Sequence, residues 1–398
     1  MYIFYQGYNQ DAVRGENSTG KVAPAPQKSL PMTETDVALT TPATPLAVLL
    51  ETAAKPHANG VYRGALSPQE FDAPGMEIAA LAAEAAVHDL GWMRRVAVRG
   101  EDRFRWLSGM VTNAVNELGH NTGAWNLVLN AQGRIQGDLH VWRERDDLEL
   151  VFAADQYEKL IEHLERFIVM DDVELATLSG ETALGLRGPL ADEVLARLSL
   201  PALSEAMTSI RMEWNGLNLR IVRVYGALGL NYELWAPEAG VEKLWTCLCA
   251  AGAAPVGTRS VEKWRIAEGI PAYGIDMGER DLAQETSQMR ALHFSKGCYL
   301  GQEVVERIRS RGNVHRRLRQ LELTGPPPVT GAELTMEDGT AAGKITSAAE
   351  LELAAGRRVF ALGMIRAEAE LKKAPLLYAG GTARILDGPG LVRGSGRS

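Results

Sequence analysis

Lys296-Gly-Cys-Tyr-Leu-Gly-Gln-Glu-Val-Val-Glu-Arg307 is the most informative stretch of this 398-residue chain. Gly297 and Gly301 bracket Cys298, which implies a tight backbone path that keeps the thiol accessible. Lys296 is adjacent. Arg307, Arg309, Arg311, Arg316, Arg317 and Arg319 follow within a 13-residue span that contains no acid. Cations near a thiol favour the thiolate, which is the better nucleophile and metal ligand. A buried cysteine in a glycine turn, backed by a basic solvated strand, fits the same spacing. The arginines also suit an anion such as phosphate, RNA or a polyglutamate tail, although a charged interdomain strand is the plainer reading. They lack regularly interleaved aromatics, so the RNA signal is weak.

The other two cysteines, Cys247 and Cys249, lie in an apolar helix-like run and read as small core residues. Three cysteines cannot form a disulfide scaffold, and a reducing, cytoplasmic location fits them best. No second Cys/His pair has the spacing of a zinc site, so no metal is expected. The seven histidines are scattered and read as surface or satisfied core residues. Forty-two basic against fifty acidic side chains leave a net charge of −8, which argues against RNA binding as the main activity. No stretch reaches the roughly 20 apolar residues of a membrane span.

Outward from the cysteine motif, the chain reads as an α+β protein. Residues 1–45 are rich in Gly, Pro, Ser, Thr, Asn and Gln and read as a disordered leader, with Met32 as a candidate true start. Ser67-Pro-Gln-Glu70 resembles a helix start. Residues 76–88 are alanine-rich and helical, 94–99 a strand, and 101–108 a short helix. Residues 125–129 and 134–142 form a hairpin candidate around Asn130-Ala-Gln-Gly133. An amphipathic helix over 155–168 is expected to be capped by Asp155. Strands follow at 182–186, 217–224 and 232–235, and helices at 190–198, 240–251 and 260–268. The last of these is stopped by Gly269. From 319 to 387 short alternating strands between Gly and Pro turns predict a small β-barrel, and 388–398 reads as a flexible tail.

Lys-Gly-Cys-Tyr-x-Gly-Gln-Glu at 296–303 closely resembles the signature of YgfZ-type folate-binding proteins, in the superfamily of the glycine-cleavage T-protein, an aminomethyltransferase. Further segments match in the expected order. They are Val98 to Asn113 with its Thr-Asn turn, Leu184-Gly-Leu-Arg-Gly-Pro189, Gly229-Leu-Asn-Tyr-Glu-Leu234, Arg265 to Asp276 and Leu282-Ala-Gln-Glu285. The resemblance spans roughly residues 60–370. It implies a T-protein-like cloverleaf of mixed α/β folate-binding domains, two interwoven subdomains over 46–318, with the small C-terminal β-barrel behind them. It implies tetrahydrofolate as cofactor. Glu233 stands where the family grips the pterin edge, and Asn113, Arg259 and Arg265 are the further candidates for the folate wall. Cys298 is the candidate reactive residue.

The mitochondrial relatives of such proteins assist iron–sulfur protein maturation. The resemblance therefore implies a role in maturing or repairing iron–sulfur client proteins, including tRNA-modifying enzymes, by a monomer. The alternative is a folate-dependent one-carbon transferase. In aminomethyltransferases the turn reads Asn-Asp-Val and supplies a catalytic carboxylate. Here it reads Asn113-Ala114-Val115, which argues against classical aminomethyl transfer.

Overall fold

The computed structural model describes residues 41–52, 58–144, 147–312 and 314–388. The leader expected over 1–45 lies almost wholly outside the described residues, as does the tail beyond 388. Two antiparallel-rich sheets carry the centre of the fold. Strands Gly123–Leu129, Ile135–Arg143, Leu148–Ala153, Met93–Arg99 and Glu174–Leu178 lie side by side in that order. The second sheet runs Thr208–Trp214, Leu217–Arg223, Asn231–Pro237, Glu181–Arg187, Ala86–Asp89 and Ala254–Pro255. Because Ala86–Asp89 precedes all strands of the first sheet, the two halves are interwoven along the chain.

Residue alternation explains what each sheet faces. In Ile135–Arg143, Ile135, Leu139 and Val141 are buried in core, while Gln136, Asp138 and His140 point the other way and are half-buried. Asn231–Pro237 is buried on both faces. Tyr232, Leu234 and Ala236 join the core beneath helices Ala191–Arg197 and Val241–Ala250, where Cys247 and Cys249 also pack. Asn231 and Glu233 turn to the opposite side.

A smaller cluster of Leu90, Trp142, Val151, Val222 and Trp235 joins the two sheets. Arg95 and Glu149 of one sheet and Arg220 of the other form a buried ionic knot, with Arg220 Nη1 2.7 Å and Arg95 Nη2 2.6 Å from Glu149. The two arginines hold the Glu149 carboxyl down at about 2 against the opposing effect of burial. Behind helix Thr258–Glu268 the chain closes a six-stranded barrel from Arg316–Leu323 to Gly381–Ile385, three residues earlier than the sequence predicts. The fold is therefore the expected mixed α/β arrangement with a C-terminal barrel. Among the described residues no helix is long and apolar enough to cross a membrane.

Four local expectations are corrected. Residues 76–88 are not one helix: the helix Pro74–Ala83 ends early and Ala86–Asp89 is a strand, paired on both sides in the six-stranded sheet. Ser67-Pro-Gln-Glu70 is not a helix start but part of strand Ala65–Glu70, paired with Ala58–Tyr62. The Ser67 hydroxyl is drawn inward to the Asp89 carboxylate instead of capping a helix. Asp155 caps nothing. It sits in a 3₁₀ turn ahead of helix Tyr157–Glu165, and its carboxylate faces Arg63 at 3.3 Å. The basic run after Cys298 is not one strand but helix Gln302–Arg311 followed by strand Arg316–Leu323, divided at Gly312 with φ 71°.

Candidate functional site

A cavity of about 450 Å³ opens between the two sheets. On the six-stranded side its floor is set by three residues in register across neighbouring strands, Glu233, Gly185 and His88. Glu233 is 5% exposed, and Trp235 Nε1, at 2.9 Å from Oε2, is its one hydrogen-bond donor among the described residues. Burial pushes this carboxyl above its usual range, while the Trp235 donor and the more distant Arg220 and Arg187 oppose the shift.

Gly185 is required between its neighbours. A Cβ there would lie 2.1 Å from His88 Nε2, so the imidazole lies across the glycine. His88 Nδ1 is 3.3 Å from the Asp89 carbonyl, and Nε2 has no hydrogen-bond partner among the described residues. Burial, assisted by Arg187, pulls His88 down to about 3, so the ring is neutral at physiological pH. Asp89 beneath it accepts from Thr44 Oγ1 at 2.6 Å, from Ser67 and from the Gly91 amide at 2.8 Å.

The five-stranded side contributes a second carboxyl. Asp138 receives Trp125 Nε1 on one oxygen and Gln156 Nε2 on the other, each at 3.0 Å. Burial raises its pKa. His140, directly opposite Trp125 in register, is pulled down to about 4 by burial and by Arg290. The Arg290 guanidinium stands 4.9 Å from the Trp125 ring centre and 3.7 Å from that of Tyr225. Asn113 reaches this wall, its Nδ2 donating to the carbonyls of Trp125 at 3.1 Å and Arg290 at 2.9 Å. Ala114 follows directly and offers only a methyl group.

The structure thus brings Glu233 and Asn113 to opposite walls of one cavity and treats the other expected residues differently. Arg265 touches the cavity, but its guanidinium is consumed by Glu262 and by Asp276 at 2.7 Å. Arg259 lies outside the cavity, 57% exposed and 2.8 Å from Glu70, because it sits on the opposite side of helix Thr258–Glu268. Cys298 is exposed and also outside the cavity wall.

The Lys296 ammonium is engaged by backbone carbonyls. Its Nζ donates to the carbonyls of Ser108 at 2.7 Å, Val111 at 2.6 Å and Asn113 at 2.8 Å. Burial draws its pKa down to about 8. The basic run is not an open cationic strip either. Arg307 pairs with Glu303, Arg309 with Glu306, Arg316 with Asp281 and Glu285, and Arg317 and Arg319 with Glu370. Glu303 and Glu306 lie one turn earlier on the same helix, while Asp281, Glu285 and Glu370 come from other segments, so Arg316, Arg317 and Arg319 look uncompensated in sequence.

Four cavity residues escape the sequence reading: His88, Asp138, His140 and Arg290. The histidines were expected to be ordinary surface or core residues. The alternation in Ile135–Arg143 is the one signal that marks Asp138 and His140 as facing away from the core.

Two sheets enclosing a cavity floored by a buried, unpaired carboxyl, with a closed barrel behind, define an aminomethyltransferase-like fold. The GCVT N-terminal domain family matches residues 52–296, so the chain belongs to the glycine-cleavage T-protein superfamily. The chain is 27% identical over 290 residues to the aminomethyltransferase of Rubrobacter xylanophilus, covering 72% of this chain and 78% of the relative. It is 27% identical over 287 residues to a putative chloroplastic transferase of Arabidopsis thaliana. That match covers 71% of this chain but 66% of the plant protein, just under two thirds of its length. Among solved structures, the glycine cleavage system aminomethyltransferase T from Bartonella henselae superposes with a TM-score of 0.79 at 19% identity. The superposition covers 88% of this chain and 98% of that one, a likeness of fold.

Proposed function

We propose that the chain binds tetrahydrofolate in the intersheet cavity and assists the maturation or repair of iron–sulfur proteins, including tRNA-modifying iron–sulfur enzymes, with Cys298 as its specialised side chain. Glu233 is the observation that carries the folate half. A reduced pterin presents a 2-amino group and a ring N–H on one edge, and a buried carboxylate with one indole donor has acceptor positions left for both. The unpartnered His88 Nε2 beside it and the aromatic walls from Trp92, Trp125 and Tyr225 suit a flat, hydrogen-bonding ring. The maturation half is supported by the 296–303 signature and the exposed thiol. Ala114, in place of a carboxylate, speaks for this reading over aminomethyl transfer.

Calorimetry of the full chain with tetrahydrofolate tests the first half: saturable heat is expected, and its absence removes the cofactor. Cys298→Ala should fail to complement a strain lacking this gene, and full rescue would defeat the maturation role.

A folate-dependent one-carbon transferase is the second reading. It is favoured by Asp138, a half-buried carboxyl on the cavity wall that could act where Ala114 cannot. Turnover of an aminomethyl substrate at an ordinary enzymatic rate would establish it.

A further inference from the structure

Among the described residues, most charged side chains lining the cavity are already neutralised. Arg63 faces Asp155, Arg187 faces Glu268, and Arg265 faces Glu262 and Asp276. Glu233 aside, two remain without an ion pair: Arg290 and Asp138. They meet at one side chain. The Trp125 indole N–H donates to Asp138 Oδ2 at 3.0 Å, and the Arg290 guanidinium lies over the face of the same ring at 4.9 Å. Edge and face of the indole therefore each carry one charged group, a carboxyl and a guanidinium, and the two form no ion pair with each other.

The setting is rigid. Gln156 holds the second Asp138 oxygen, Tyr225 backs the guanidinium, and Asn113 fixes the Arg290 carbonyl. His140 adds no charge at neutral pH, since burial and Arg290 keep it neutral. Arg63 and Asp155 also act on Asp138, and Tyr225 and Glu268 on Arg290, with Arg63 paired to Asp155 and Glu268 to Arg187. Opposite charges taken out of water separately are costly unless something supplies the counter-charge to each. Tyr225 and Arg290 also border a second hollow of about 330 Å³, which gives this corner an approach from outside.

We infer that Arg290 and Asp138 form a subsite for a small zwitterionic amino acid, its carboxylate on Arg290 and its ammonium on Asp138. Its place beside a pterin edge on Glu233 rests on the folate reading above; the charge complement does not. A guanidinium takes a carboxylate through two parallel N–H donors, and an aromatic cradle holds the plane that this requires. The shared carboxylate chemistry has a second source, the glutamate tail of a bound folate, and the experiment separates the two.

The full chain is titrated calorimetrically with glycine, with and without saturating tetrahydrofolate. Saturable binding in the millimolar range or tighter is expected, with acetate and methylamine each at least about tenfold weaker. Arg290→Gln and Asp138→Asn should each weaken glycine at least about tenfold, and Arg290→Lys, which keeps the charge, should lose less. The inference is overturned if glycine shows no saturable binding up to ~50 mM. It is equally overturned if acetate matches glycine while Arg290→Gln weakens tetrahydrofolate, because Arg290 would then hold the folate tail. Glycine binding with no heat from tetrahydrofolate would leave this subsite standing and remove the folate reading instead.

Discussion

Arg265 separates a ligand-binding role from a structural one. Its Nε and Nη2 reach Glu262 at 3.0 and 2.5 Å, and its Nη1 reaches Asp276 at 2.7 Å and the Ile270 carbonyl. Asp276 in turn accepts from Thr346 and Ser347 of the barrel, each at 2.6 Å, so the guanidinium ties helix Thr258–Glu268 to the barrel through one carboxylate. Arg265→Met keeps the stem but leaves two carboxyls without their cation. Breaking a buried pair in this way costs about 3–5 kcal/mol. The lower half of that range applies here, because Glu262 is partly exposed and Asp276 keeps three other donors.

At roughly 1–2 °C per kcal/mol for a unit of this size, the melting temperature should fall by about 3–8 °C. The pH dependence follows from Glu262, whose pKa the fold lowers chiefly through Arg265 against the effect of burial. A lowered carboxyl stabilises above its unfolded pKa and loses that contribution as pH falls through its folded value. The deficit of Arg265→Met should therefore be full at neutral pH and shrink in acid below about pH 4.5. Circular dichroism melts of both proteins at pH 7 and pH 4, with tetrahydrofolate titrations at 15 °C, supply the readings. A melting temperature unchanged within about 2 °C, together with a tenfold loss of folate affinity, would refute the argument and return Arg265 to the ligand wall.

Glu233→Gln should weaken tetrahydrofolate by about ten- to a hundredfold in calorimetry, since one charge-assisted acceptor becomes a donor. Gly185→Ala should displace the His88 ring, because its Cβ would lie 2.1 Å from Nε2. A destabilisation of about 1–3 kcal/mol in urea titrations is expected, together with weaker folate binding. His88 is held at about 3 in the fold against 6.5 in the unfolded chain, so the unfolded state takes up the extra proton between those values. Wild type should lose about 2 kcal/mol more than His88→Gln between pH 7 and pH 5, the difference being read by urea denaturation. Lys296→Met should lower stability by about 2 kcal/mol or more in the same assay, as three carbonyls lose their shared donor.

Several helices and the barrel were legible because their patterns are local, whereas strand Ala86–Asp89, in an alanine-rich run, reads as helix and strands Leu148–Ala153, Glu174–Leu178 and Thr208–Trp214 were not legible. The hairpin over 123–143 and the arrest of helix Thr258–Glu268 at Gly269, with φ 71°, follow from turn chemistry and periodicity alone. Ser67 and Asp155 misled because each hydroxyl or carboxylate had a distant partner that outbid the local cap: Asp89 for one, Arg63 for the other. Arg316, Arg317 and Arg319 misled for the same reason, their carboxylates lying on Asp281, Glu285 and Glu370, whereas Arg307 and Arg309 pair within their own helix.

Glu233 was reached through a motif and not through its chemistry, since nothing in the sequence distinguishes a strand glutamate over a glycine from a solvent-facing one. Asp138 and Arg290 depend on Trp125 standing between them, a meeting of residues 125, 138 and 290 that no spacing encodes.

Cys298 and the cavity are joined through one short segment of chain. The segment from Arg290 to Leu300 is stitched to residues 108–113 by several bonds. His293 N donates to the Thr112 carbonyl at 3.0 Å, Leu300 N to that of Gly109 at 2.9 Å, and Lys296 Nζ to that of Asn113. Asn113 then meets Trp125 and Arg290 inside the cavity through its side chain. One short segment therefore has a cavity face, carrying Arg290, and a solvent face, carrying Cys298, and both are anchored on the same turn. A small ligand fits the first and a macromolecule can reach only the second. On the maturation reading, the client protein meets the thiol at the surface while the folate stays enclosed, so neither has to displace the other. On the transferase reading the chemistry belongs to Asp138 and its neighbours, and Cys298→Ala should leave turnover intact. The two readings thus place the decisive side chain on opposite faces of one anchored segment.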